Sequence, residues 1–186
     1  FANLTGKKDV RVVPSKPQMW NEFIPFFNDM DIRVGYSDKN IYDKLVNTEN
    51  TAKTFLKRVR GHYLNSENKL LDLNEVKLLL ESLTEDVIIK PSNRDNGQGI
   101  TKLKVKDGNL YLKDRIVTLD ELGEIYGSNF IVQEVVQQHE VMAQPHPASV
   151  NTLRMVTLRW NNEIHHLLTY ARIGVNNDVR DNSAAG

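Results

Sequence analysis

A lysine and a loop with two glycines are the residues of this sequence best suited to chemistry. Lys90 ends the apolar run 87–89, and the polar loop that follows carries Gly97 and Gly99. The N–H groups of such a loop can converge on an anion, and glycine lets the main chain approach closely. A lysine adds a point charge for phosphate oxygens. From these residues alone, a polyphosphate cradle and a surface turn with a solvated lysine both stay open.

The common nucleotide-binding signatures are missing from the chain. It contains no GxxxxGK[ST] run, no GxGxxG run and no HRD or DFG triplet, which argues against a P-loop, a dinucleotide fold and a protein kinase. The absence of cysteine excludes thiol catalysis and cysteine-based metal sites, and it permits a cytoplasmic location. The 24 basic and 24 acidic residues balance, so we expect neither nucleic-acid binding nor membrane insertion.

Three helices are predicted from local patterns. Asp72 with Glu75, and Thr118 with Glu121, match the capping box and precede apolar residues at helical spacing. Gly127 suits the end of the second of these helices. An earlier helix is predicted by a stripe of apolar residues that we expect to lie in the core. The members of this N-terminal stripe are Trp20, Phe23, Ile24 and Phe27.

Strands and hairpins fill most of the remaining chain. Asp107-Gly108 and Asn161-Asn162 stand between alternating segments and predict hairpin turns. Residues 53–71 favour another hairpin, and residues 87–90 and 130–136 read as strands. Because helices and strands mix without regular βαβ alternation, we expect an α+β fold with antiparallel sheets. A basic cluster in the first hairpin is expected to form a solvated strand face; it comprises Lys53, Lys57, Arg58 and Arg60.

The order of these pieces resembles the ATP-grasp superfamily, and in particular its sugar-transfer-associated branch, which is linked to surface-polysaccharide biosynthesis. The resemblance spans residues 38–186, and its most specific run is SVNTLRMVT. It implies two subdomains, built from antiparallel sheets and helices, that clamp a nucleotide between them. We expect an unassigned segment at 1–37, a first subdomain with the glycine-loop lid at 38–112, and a second, truncated subdomain at 113–186.

The resemblance implies which residues contact the phosphates of ATP. Lys39 and Lys90 match two lysines that reach the phosphates, with Lys44 as the less favoured substitute for Lys39. The loop with Gly97 and Gly99 matches the lid that closes over the phosphates and excludes water.

The same resemblance implies which residues contact the adenine and the ribose. An extended hinge is implied at Glu134, Val135, Val136 and Gln137, whose main chain would pair with the adenine edge. Glu140 is the implied ribose ligand. An ordinary carboxylate at the end of a strand is the alternative for Glu134.

Three further residues are implied near the reacting groups. Arg154 and Arg172 match strand arginines that face the γ-phosphate or an acyl-phosphate, and Asn182 matches a position near the acceptor. A guanidinium can bind such groups with two parallel hydrogen bonds. Solvated strand arginines are the alternative for both.

The implied activity is that of an ATP-dependent carboxylate–amine ligase that forms an acyl-phosphate. Its expected partners are ATP and a small-molecule or sugar-linked carboxylate, and its oligomeric state is not indicated. Relatives hold Mg²⁺ with an Asp and a later Glu-x-Asn, and no such element precedes Gly186. We therefore expect the metal ligands beyond residue 186 and a chain that is inactive alone. A phosphotransferase of the same fold and a non-catalytic nucleotide-binding domain are the alternatives.

Overall fold

Two antiparallel sheets organise the part of the chain that the structure describes. The computed structural model describes residues 6, 14–46, 48–94 and 97–175, excluding the side chain of Val34. An eight-stranded sheet has the order β3-β2-β1-β8-β4-β5-β6-β7, and β9 and β10 form a separate two-stranded sheet. The strands are β1 (Thr54–Val59), β2 (His62–Asn65), β3 (Leu70–Leu71), β4 (Val87–Pro91), β5 (Thr101–Lys106), β6 (Asn109–Leu112), β7 (Arg115–Ile116), β8 (Phe130–Glu134), β9 (Thr152–Trp160) and β10 (Glu163–Arg172).

The helices are short and lie mainly before the sheet and between its strands. Those described are α1 (Lys16–Gln18), a π-helical turn (Met19–Phe23), α2 (Ile24–Phe27), α3 (Met30–Ser37), a 3₁₀ turn (Lys39–Ile41), α4 (Tyr42–Leu45), α5 (Leu73–Glu81), α6 (Leu119–Tyr126) and α7 (Glu140–Ala143). Both predicted capping boxes are present, at the starts of α5 and α6. The mixture of helices with antiparallel strands confirms the predicted α+β class. None of the helices in the ranges above is long and apolar enough for a bilayer crossing.

Two-residue turns close four of the hairpins among the described residues. In each turn both residues have φ between 49° and 88°, the left-handed region that matches the twist of paired strands. The predicted turns at Asp107-Gly108 and Asn161-Asn162 are confirmed, because the residues that flank each one pair with each other. The other two turns are Arg60-Gly61 and Lys113-Asp114.

Strand β8 joins the two halves of the large sheet. It pairs with β1 on one side and with β4 on the other, so Val132 lies between Leu56 and Ile89. All three side chains are almost fully buried, and they belong to one core cluster. The core is completed by residues of α5 and α6, of which Val76 and Leu122 are the most buried.

The large sheet crosses the predicted division between residues 112 and 113. Strands β6 and β7 pair across that point, and β8 lies in the middle of the sheet. The division into two subdomains stays a proposal, and the pairing favours a boundary after Glu134, where the sheet ends along the chain.

The expectation that the N-terminal stripe lies in the core was wrong. Trp20, Phe23 and Phe27 are each about half exposed. Phe27 contacts the ring of Trp160 edge-on, with the centroids 6.4 Å apart, and the ring of Phe23 lies nearby. Helical spacing placed these side chains on one face, but the described residues do not supply an apolar surface that covers it.

The expectation of a solvated face was also wrong for two members of the basic cluster. The ammonium group of Lys57 is buried in an ion pair with Asp43. The Arg58 guanidinium lies over the rings of Tyr63 and Phe130, 5.1 and 5.8 Å from their centroids. Charge alternation along the sequence could not reveal these partners, because they come from other elements.

The guanidinium of Arg58 also lies close to a glycine of α6. Its Nη1 donates to the carbonyl of Gly127 over 3.2 Å. A Cβ atom at Gly123 would overlap this guanidinium. Gly35, the glycine of α3, has open space where a Cβ would be. The two helical glycines therefore differ in what an alanine would meet.

Gly123→Ala is expected to destabilise the protein by up to about 1 kcal/mol, because the alanine would displace the end of the Arg58 side chain from its aromatic neighbours and the gain in helix propensity offsets part of that cost. The matched Gly35→Ala substitution should be neutral or add up to about 1 kcal/mol, because alanine is the better helix former. Urea unfolding of both variants measures the difference. Equal effects of the two substitutions would contradict the overlap between a Cβ atom at residue 123 and the Arg58 guanidinium.

Candidate functional site

Lys39 and Lys90 lie in the same pocket. The pocket has a volume of about 190 Å³ and lies between the 3₁₀ turn, the end of β4 and the glycine loop. Gly97 also contributes to it, so three of the residues predicted to contact phosphate are brought together. The full lining consists of Lys39, Tyr42, Lys90, Pro91, Arg94, Gly97, Gln98 and Ile100.

Strand alternation places Lys90 in the pocket. Val87 and Ile89 are fully buried in the core on one face of β4, and Lys90 therefore projects from the other face. Its ammonium group forms no hydrogen bond or ion pair with the described residues. Burial, and then the positive charge of Lys39, lower the pKa of Lys90. An anion in the pocket would relieve both effects.

Lys39 is held against the start of the glycine loop. Its main-chain N–H donates to the carbonyl of Ser92 over 2.9 Å. Its ammonium group donates to the carbonyls of Ser92 and Arg94 over 3.2 and 2.7 Å. An ammonium group has three N–H donors, and the third has no acceptor among the described residues, which leaves it for a ligand. The lysine thereby connects the loop to the pocket.

The two glycines of the loop have backbones that favour glycine. Gly97 and Gly99 have φ of 69° and 74°, in the left-handed region where a side chain is costly. A Cβ atom at Gly99 would lie 2.9 Å from Cγ of Pro91. Gly99 therefore lets the loop pack directly on the end of β4.

The predicted adenine hinge lies outside this pocket lining. The carboxylate of Glu134 accepts from the main-chain N–H of Lys53 over 2.8 Å, so it holds the start of β1. Residues 135–137 follow β8 and pair with no strand among the described residues. Glu140 is the exposed first residue of α7. The roles of these residues toward adenine and ribose stay predictions.

The two predicted arginines lie on the separate hairpin. Arg154 pairs with Tyr170, and Arg172 pairs with Thr152, so both arginines project from the same face of the β9–β10 sheet. Neither lines the pocket of Lys39 and Lys90. Asn182 lies outside the described residues. The exposed Lys44, the substitute for Lys39, is also absent from the pocket lining.

Asn151 forms a buried polar junction that was not assigned from the sequence. Its side chain is 5% exposed, and its Nδ2 donates to the carbonyls of Met142 and His146 over 2.7 and 3.0 Å. Its Oδ1 accepts from the hydroxyl of Ser149 and the N–H of Gly174 over 2.9 and 3.2 Å. This residue therefore connects the segment before β9 to the segment after β10. The sequence signal that could have drawn attention to Asn151 was its place in the SVNTLRMVT run.

The comparison with protein families identifies the class. A family model described as sugar-transfer associated ATP-grasp matches residues 18–186. The chain belongs to this family, which confirms the resemblance and the fold expected from it. Family membership indicates an ATP-binding, ligase-like domain. No curated protein and no solved structure matches the chain.

Magnesium accompanies ATP in this family. No three His, Asp or Glu side chains gather within the described ranges in a way that could hold a metal ion. Mg²⁺ favours carboxylates together with substrate phosphates. None of the described residues is therefore assigned to the metal.

Proposed function

We propose that this chain is the ATP-binding portion of an ATP-dependent carboxylate–amine ligase. The observation that carries the proposal is the Lys90 ammonium group, which is partly buried in the pocket beside Lys39 without a counter-charge among the described residues. A buried cation without a partner is costly. A polyphosphate is an anion of suitable charge for a site with two lysines and a glycine loop.

The remaining contacts with ATP follow the family assignment. Lys39 and Lys90 would bind the triphosphate, and the loop with Gly97 and Gly99 would cover it. The main chain of residues 134–137 would pair with adenine, and Glu140 would accept hydrogen bonds from the ribose. The segment after β8 supports the hinge assignment, since the main-chain N–H and C=O groups of residues 135–137 have no strand partner among the described residues.

In the proposed reaction a carboxylate oxygen of the substrate attacks the γ-phosphorus of ATP. The bond from that phosphorus to the β–γ bridging oxygen breaks, and ADP leaves with the electron pair. An amine or similar nucleophile then attacks the acyl carbon, loses a proton and displaces phosphate. Arg154 and Arg172 would neutralise charge on the transferred phosphoryl group, and Asn182 would lie near the acceptor. Mg²⁺, when bound, would supply further neutralisation of the phosphates.

The substrate class and the location are part of the same proposal. We assign a small-molecule or sugar-linked carboxylate, used in surface-polysaccharide biosynthesis in the cytoplasm. The family description, sugar-transfer associated ATP-grasp, supports the connection to sugar chemistry.

Thermal unfolding of the full-length protein with and without MgATP tests the proposal. At 100 times the dissociation constant, MgATP should add about 2.7 kcal/mol of stability, or roughly 5–10 °C in Tm for a chain of this size. GTP serves as the matched control and should have a smaller effect. No shift with MgATP would overturn the proposal.

Analysis of the products then distinguishes the reaction types. Incubation with candidate carboxylates and amines should give ADP, phosphate and an amide. A phosphate ester in place of the amide would indicate the phosphotransferase. Binding of MgATP without any ADP formation across the candidate substrates would favour a non-catalytic nucleotide-binding domain.

A further inference from the structure

Lys57 of β1 is the most buried charged group of the described residues outside the pocket. It is 2% exposed, and its ammonium group uses all three of its donors. The acceptors are the carbonyl of Asn40 at 2.9 Å, Oδ1 of Asp43 at 2.6 Å and Oδ1 of Asn68 at 2.8 Å. Lys57 therefore joins three separate segments of the chain.

The carboxylate of Asp43 is engaged from two sides. Its Oδ2 accepts from Nδ2 of Asn68 over 2.8 Å, and its Oδ1 accepts from Lys57. Burial alone would raise its pKa, but the hydrogen bonds from Asn68 and Lys57 and the charge of Lys57 lower the pKa overall. Asp43 is therefore ionised near neutral pH, and its carboxylate accepts from both side chains.

This network of hydrogen bonds also holds the 3₁₀ turn that carries Lys39. Asn40 follows Lys39 directly, and its carbonyl accepts from Lys57. The side-chain amide of Asn40 donates to the carbonyl of Arg58 over 3.2 Å. Two neighbouring residues of β1 therefore hold Asn40 through its main chain and its side chain.

Apolar packing contributes little to the position of the same turn. Ile41, Tyr42 and Leu45 are 37%, 43% and 42% exposed. Because these side chains are not buried against the sheet, the polar contacts of Asn40, Asp43 and Lys39 itself attach the turn to the sheet. The place of the Lys39 ammonium group in the pocket depends on that attachment.

We propose that Lys57 is a positioning residue that acts on the nucleotide through Lys39. This inference rests on the proposed function, in which Lys39 contacts the triphosphate. A buried ion pair adds little net stability compared with apolar residues of the same size. Lys57 instead fixes the position of the 3₁₀ turn and, through it, the position of the Lys39 ammonium group.

A double-mutant cycle in MgATP binding tests this role in the full-length protein. Lys57→Met keeps the length of the side chain and removes its charge, and we expect about a tenfold loss of affinity by calorimetry. In the Lys39→Ala background the same substitution should cost no further affinity. Lys77→Met is the matched control: it removes the same charge and a surface ion pair with Glu81, and it should leave affinity unchanged.

Leu110→Ala is the control for loss of stability: it removes a buried side chain from β6 and should lower Tm without changing affinity when all variants are measured while folded. If Lys57→Met does not fold, Asn68→Ala takes its place in the cycle, with an expected loss of about threefold. Unchanged affinity, or an equal loss with and without Lys39, would overturn the inference alone. Absence of MgATP binding by the unsubstituted protein would overturn the proposed function and this inference together.

Discussion

Lys90→Met is expected to raise the stability of the ligand-free protein and to abolish its stabilisation by MgATP. Methionine fills the space of the lysine stem without a charge that burial and Lys39 both disfavour. A gain of about 1 kcal/mol would raise Tm by about 2–4 °C for a chain of this length. Loss of the MgATP effect follows because the ammonium group that would contact phosphate is gone.

The pH dependence of this gain has a defined sign. The folded-state pKa of Lys90 is lowered, so the unfolded chain binds the proton more tightly, and stability rises with pH between the lowered pKa and about 10.5. The advantage of Lys90→Met should therefore be complete below that window and should disappear as pH approaches its upper end. Thermal scans from pH 7 to 10.5 measure this change.

The matched control is Lys106→Met, which removes an exposed lysine from β5 of the same sheet. It should neither stabilise the ligand-free protein nor alter its response to MgATP. A lower Tm for ligand-free Lys90→Met would contradict the account of an uncompensated buried charge. A full response to MgATP in that variant would show that Lys90 does not bind the nucleotide.

Asn151→Ala is expected to open the base of the β9–β10 hairpin. The substitution removes the hydrogen bonds to Met142 and His146 and leaves the N–H of Gly174 without its acceptor. Leaving buried polar groups unsatisfied costs about 1–3 kcal/mol each. We therefore expect the free energy of local opening to fall by about 2–4 kcal/mol. Hydrogen exchange at the amide of Gly174 measures it directly.

Ser149→Ala is the control for this prediction. It removes the hydroxyl that donates to Asn151 and pairs with Nδ1 of His146, and it leaves the amide contacts with the carbonyls of Met142 and His146 in place, so its cost should be about 1–2 kcal/mol. Exchange at Gly174 should be much faster in Asn151→Ala than in Ser149→Ala. Equal rates in the two variants would show that Asn151 is not the junction of this hairpin.

Features that depend only on residues close to one another in the sequence could be predicted. The capping box of Asp72 and Glu75 and the turn at Asp107-Gly108 need only residues that are close along the chain, and both formed as expected. The burial of Lys57 could not be predicted, because its partners Asp43 and Asn68 lie on other segments. Local pattern also could not show that the N-terminal stripe lacks a covering surface among the described residues.

In the candidate site, too, the contacts between residues distant in the sequence could not be predicted from local pattern. The pairing of Lys39 with Lys90 came from the family resemblance, and the fold brings both into one pocket although 51 positions separate them along the chain. Spacing alone gave no sign that Asn151 would join two ends of a hairpin. The expected contacts of Arg154 and Arg172 with phosphate depend on how their hairpin lies toward the nucleotide, and they remain predictions.

The central place of β8 has a consequence for synthesis of the protein. Residues 54–71 and 87–116 each form local hairpins, and β8 (residues 130–134) is the strand of the described sheet that pairs with both halves. A nascent chain therefore presents unpaired inner edges of β1 and β4 until the last of these strands leaves the ribosome. Such edges can pair with other chains, so the late arrival of β8 marks the interval in which aggregation competes with folding.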